Sequence, residues 1–117
     1  MRNSHELWDR IDTISPDFTA LSDRVWDKPE LAYDEFNAVA EHSAMLEAQG
    51  FRITKDIAGI PTAVIGESGE EGLVIAILGE YDALPGLSQE ADVPHPSPLA
   101  GPGTGHGCGH NRLGASA

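Results

Sequence analysis

The chain has little that would tie it to the extracellular world or to polyanions. Among its 117 residues there is one cysteine, Cys108, so no internal disulfide can form and a reducing, cytoplasmic setting is expected. Lys and Arg number only 7 against 19 Asp and Glu, a formal charge of −12. Phosphate binding is driven by basic side chains, so neither nucleic acid nor an anionic membrane is an expected partner. No run approaches the ~18 apolar residues a membrane span needs. The opening stretch MRNSHELWDR lacks the apolar core of a signal peptide. No glycine trio has the spacing of a dinucleotide fingerprint, and no Gly-Lys-Ser/Thr marks a phosphate-cradling loop. No internal repeat is present.

What is there fits one ordinary α/β domain, with 40% apolar residues. Leu7, Ile11, Ile14, Phe18, Leu21 and Val25 step by fours and threes, one face of an amphipathic helix. Ser15-Pro16 interrupts it, giving either two helices with Ser15 as N-cap or one kinked helix, and Lys28-Pro29 ends it. A second helix is expected from about 34 to 49. Phe36, Val39, Ala40, Ser43 and Leu46 form its inner face, Gly50 is its C′ glycine and Phe51 the apolar contact that follows. FRITK and TAVIG then read as short strands with a turn at Gly59 to Pro61. LVIAILG (73–79) reads as a strand covered on both faces, in the middle of an α/β sheet. Trp8, Trp26 and Tyr81 read as packing residues. From Gly86 to Gly105 the pattern gives way to a loop with four prolines, and a loop that long is either functional or disordered.

Two stretches carry chemistry. In GEYDALPG, Glu80 and Asp82 follow the expected strand at i and i+2, so both carboxylates can leave an extended chain on one side. Ligands gather beyond the carboxyl ends of such strands, and divalent ions accept carboxylates. A solvated strand end would look the same. In GHGCGHN, Cys108 and His110 share that spacing, and thiolate and imidazole ligate zinc-like ions. Two ligands do not close a site. His106 is a possible third ligand or a loop-lining residue, and His95, between prolines, reads as an exposed loop residue. A nucleophilic Cys108 with His110 as its base is the competing thiol chemistry.

Taken in order, KPELAYDEF (28–36), GEYDALPGLSQ (79–89) and GHGCGHN (105–111) resemble the start of a metal-dependent amidohydrolase of the aminoacylase and carboxypeptidase superfamily. Within it they are most similar to the branch acting on p-aminobenzoyl-glutamate. The resemblance implies the N-terminal part of a zinc-exopeptidase-like α/β/α sandwich: helices, then strands, cut short before the rest of the sheet and the lid domain. Residues 1–117 would be an incomplete catalytic domain. It implies two divalent metal ions, Mn or Zn, with Cys108 and His110 as ligands and Asp82 as the catalytic-site carboxylate supporting them. It implies an acyl-amino-acid substrate and an oligomeric full-length form. The general base and the remaining ligands would come from downstream, leaving these 117 residues inactive alone. Many relatives carry Asp where Asn111 stands, and Arg112 replaces an apolar residue entering a helix, which predicts disturbed packing there. A stand-alone α/β binding module and a thiol-dependent module are the other readings.

Overall fold

The computed structural model describes residues 4–101 and 103–117. Along the chain run helix α1 (Ser4–Trp26), helix α2 (Phe36–Ala48), strand β1 (Arg52–Lys55), a 3-10 turn (Ile57–Gly59), strand β2 (Val64–Glu67) and helix α3 (His110–Ser116). Among the described residues this is a mixed α/β arrangement of three helices and a two-stranded sheet.

The open question at Pro16 resolves as one helix. α1 runs 23 residues through it, although proline has no N–H to give the carbonyl one turn back. Burial along the apolar stripe is uneven. Leu21 and Val25 are buried with Ala38 of α2 and Ala115 of α3, and Met45 and Tyr81 pack against that cluster. Leu7, Trp8 and Ile11 are exposed. Trp8, expected as a packing residue, is 60% exposed. Among the described residues no element covers the first half of α1. Trp26, at its other end, is half-buried.

α2 starts without a side-chain cap from Glu35. Its cap comes instead from Glu30, whose carboxylate accepts hydrogen bonds from the backbone N–H groups of Asn37 and Ala38, each at 2.9 Å. A carboxylate there satisfies orphan donors and complements the positive end of the helix dipole. The buried face is Ala38, Val39, His42 and Ser43. The expected face was partly wrong: Phe36 and Ala40 point to solvent. The small Ala38 and Ser43 occupy the inner side instead. The C-terminus is as expected. Gly50 takes φ +85°, its N–H reaches Glu47 O at 2.9 Å, and Phe51 N–H reaches Leu46 O at 3.0 Å. Those two bonds make a Schellman motif.

β1 and β2 form an antiparallel hairpin in register Arg52↔Glu67 to Lys55↔Val64. A Cβ on Gly66 would stand 3.1 Å from Leu46 Cδ1, so the glycine lets the hairpin lie on α2. The expected buried strand LVIAILG is overturned. Residues 73–79 adopt no strand, and Leu73, Val74, Ile75, Ile77 and Leu78 are 73–90% exposed. Apolar composition selects an extended buried segment only where neighbouring strands offer partners, and no described residue bonds to this backbone.

Beyond the run, the chain turns back into the molecule. Ala83 N–H bonds to Glu30 O at 2.7 Å in a parallel bridge between Leu31 and Ala83. Leu84 and Gly105 exchange both backbone hydrogen bonds, each 3.0 Å. That bridge closes the proline-rich loop at its base. Inside it, Ser88 N–H bonds to Gly103 O and Glu90 N–H to Ser97 O. The Gln89 amide accepts from Ser97 N–H at 2.9 Å and donates to His95 O at 3.0 Å. His95 is exposed, as its flanking prolines predict.

Candidate metal centre

The Leu84–Gly105 bridge draws the two chemistry-bearing stretches together. In the extended stretch after Gly79 the side chains alternate. Tyr81 turns inward, where its hydroxyl donates to Thr62 O and its ring centroid lies 4.9 Å from that of His42. Burial, reinforced by the Glu35 charge, pushes the Tyr81 hydroxyl up to about 12, so it stays a donor at neutral pH. Glu80 and Asp82 consequently leave on the other side, and His110, first residue of α3, meets them. His110 Nδ1 lies 2.7 Å from Asp82 Oδ1 and Nε2 lies 3.2 Å from Glu80 Oε2. One ligand atom from each of the three falls within 4.8 Å of the others.

Glycines set this approach. A Cβ on Gly114 would stand 2.7 Å from His42 Nε2 and 2.8 Å from Glu80 O, and one on Gly79 would stand 2.8 Å from the Ala117 Cβ. Bare backbone at both positions lets α3 lie directly on the segment that bears Glu80. A Cβ on Gly105 would collide with the Leu87 carbonyl, which accounts for the first glycine of GHGCGHN.

The donor set suits a divalent cation. A neutral imidazole has one N–H. Given to Asp82, it leaves the Nε2 lone pair facing a Glu80 carboxylate oxygen, two acceptors 3.2 Å apart. A proton or a cation between them removes that conflict, and one imidazole with carboxylates is a usual zinc or manganese environment.

Not every residue singled out in the sequence joins this cluster. Asp82 and His110 do. Cys108 lies exposed in the turn before α3 and is not one of the three. Both His110 nitrogens face carboxylates, so neither is turned to Cys108 as a base. His106 packs inward with Nε2 3.1 Å from Val25 O, its Nδ1 buried without a protein partner. Burial lowers its pKa, the Val25 carbonyl offsetting part of the effect, so the ring is neutral. Glu80 is the member missing from the ligands that the resemblance implies, though its i, i+2 relation to Asp82 was the available signal. Asn111 is buried, and its amide donates to Ser22 Oγ at 2.9 Å, pinning α3 to α1. Arg112, expected to disturb packing, is exposed, and α3 continues past it with Ala115 in the core.

The sequence matches known hydrolases. It is 42% identical over 109 residues to one of the subunits of the p-aminobenzoyl-glutamate hydrolase of Escherichia coli, covering 93% of this chain and 23% of that protein. It is 34% identical over 115 residues to the Xaa-Arg dipeptidase of Mus musculus, covering 90% of this chain and 23% of that protein. An N-acetylcysteine deacetylase of Bacillus subtilis is 35% identical over 85 residues, covering 71% of this chain and 21% of that protein. The chain thus spans less than a quarter of the length of these relatives. No family model matches it.

Proposed function

This chain belongs to the aminoacylase-like amidohydrolase superfamily of those relatives, and we propose that it contributes metal ligands to a hydrolase acting on the amide of an acyl-amino acid such as p-aminobenzoyl-glutamate. The observation that carries the reading is the convergence of Glu80, Asp82 and His110. Asp82, 2.7 Å from Nδ1, holds the imidazole in the tautomer that presents Nε2 outward. Nε2 and the Glu80 carboxylate are then the pair that would hold an ion, and Cys108, two residues before His110, is proposed as a further ligand. When bound, a divalent ion supplies Lewis acidity toward an amide carbonyl. The chain's own part is to hold His110, keep Tyr81 protonated behind the site and leave Glu80 half-exposed, with 53% of its side chain open to substrate.

The finer assignments belong to the same proposal: two ions, Mn or Zn; an incomplete α/β/α sandwich of the zinc-exopeptidase kind; a cytoplasmic setting; an oligomeric full-length form. Among the described residues there is one such cluster. The 117 residues alone are therefore expected to bind metal and not to release p-aminobenzoate. Calorimetric titration with Zn²⁺ and Mn²⁺ tests the reading: saturable binding lost in His110→Ala supports it, and no binding, or binding untouched by that change, sinks it.

A further inference from the structure

The structure has a second concave feature beside the metal loop. A cleft of about 260 Å³ opens between the C-terminal end of α1 and the proline-rich loop. Trp26, Leu87 and Leu99 are among its walls, together with Gly105, His106 and Gly107 of the loop that leads to His110. A cavity of ~150 Å³ already holds a benzene ring, so this one has room for a ring and its substituents.

The polar groups of the cleft narrow the choice. Thr104 Oγ1 is committed to Pro29 O at 3.0 Å, and Ser88 Oγ accepts from Leu99 N–H at 3.1 Å. Gln89 is occupied within its own loop. His106 Nε2 is bonded to Val25 O, and its Nδ1 is buried without a protein partner. No Lys or Arg lines the cleft. The charged group of the lining is the Asp27 carboxylate, exposed and the sole carboxylate there. Such a site attracts a hydrogen-bond donor on an apolar ring and repels a free carboxylate.

We infer that this cleft is an arylamine site: Trp26, Leu87 and Leu99 enclose an aromatic ring, and Asp27 accepts from its amino group. The inference rests on the hydrolase reading above and deepens it, because it orients the substrate. The aminobenzoyl end enters the cleft and the amino-acid carboxylate points away from it. His106 links the two regions along the chain, since it lines the cleft and stands four residues before His110. Trp26, Asp27, Leu87 and Leu99 are specificity residues in this scheme and touch no metal ligand's role.

The probe is 4-aminobenzamide, a neutral arylamine without a carboxylate, titrated into the 117-residue chain with Trp8→Phe. Trp26 is then the single tryptophan, and its fluorescence reports occupancy. Saturable quenching is expected. Asp27→Asn, an exposed change that leaves the fold alone, should weaken 4-aminobenzamide roughly tenfold and leave benzamide unchanged. Trp26→Leu, read by calorimetry, should weaken both, with Trp26→Phe restoring most of the affinity. Absence of saturable binding, equal effects of Asp27→Asn on both probes, or full affinity in Trp26→Leu would overturn the inference. Zn²⁺ titration separates it from the reading on which it rests. A chain that binds the arylamine but no metal keeps the cleft and loses the hydrolase. A chain that binds metal through His110 and no arylamine does the reverse.

Discussion

At the scale of single residues, the candidate metal cluster has an imidazole held from behind. On the proposed reading Asp82 contributes orientation and His110 the ligating atom, so their removal should differ in degree. Asp82→Asn is expected to weaken Zn²⁺ binding by roughly 10–100-fold, and His110→Ala to abolish it. Equal losses in calorimetry would make Asp82 a ligand in its own right. His42 supplies a pH effect. It is buried, Nδ1 lies 2.8 Å from Ala38 O, and Nε2 has no partner against Gly114. Burial lowers its pKa, while Ala38 O and the Glu41 charge pull the other way. The folded ring therefore stays neutral where the unfolded one, with a pKa of about 6.5, takes up a proton. The unfolded chain binds more protons below that pH, so stability falls as pH falls through it. Denaturant midpoints at pH 7.5 and pH 5.5 check this; His42→Gln should reduce the difference, leaving the share of His106, whose pKa burial lowers in the same way, and an undiminished slope would overturn the assignment to His42.

At the scale of elements, close approaches decide the geometry. Gly114→Ala places a methyl against His42 Nε2 and Glu80 O, both closer than Cβ atoms tolerate. The shift should part α3 from the Glu80 segment and lower metal affinity while the far-UV spectrum stays helical; unchanged affinity would show that the site adjusts around it. Gly50→Ala, at φ +85°, is expected to destabilise by about 1 kcal/mol or slightly more, read from chemical denaturation. Several such elements were legible beforehand. The end of α2 follows from Gly50-Phe51, the hairpin from two β-rich runs around a turn, and the Glu80–Asp82 pair from alternation. The rest depended on distance along the chain. Glu30 caps α2 from outside it, and Gln89 organises a loop whose composition left open whether it is functional or disordered. The inner face of α2 follows what α1 offers it, which its own periodicity does not record. LVIAILG misled because a buried strand requires neighbours as well as composition.

At the scale of the whole molecule, two opposing features govern association. The formal charge of −12 keeps copies apart, while Leu73 to Leu78 and the first half of α1 expose apolar side chains. Salt screens the first and not the second. Self-association of the chain is therefore expected to grow as NaCl rises, and the double change Ile75→Lys with Ile77→Lys to suppress it. Sedimentation velocity across a salt series decides; association unaffected by the lysines would move the contact to α1, where Trp8→Lys is the corresponding change.

The unpaired backbone of residues 73–79 also makes this stretch a clock. Its amides bond to no described carbonyl, whereas those inside α2 are locked in a helix. In deuterated water the amides of 73–79 should exchange at the pace of an open peptide, seconds or less, while the amides of α2 wait for the helix to open. Mass spectrometry of the peptides would then show the first exchanged before the second has begun. Any molecule that lays a strand along Leu73 to Leu78 would stop that clock, and the retained protons would mark which residues it covers.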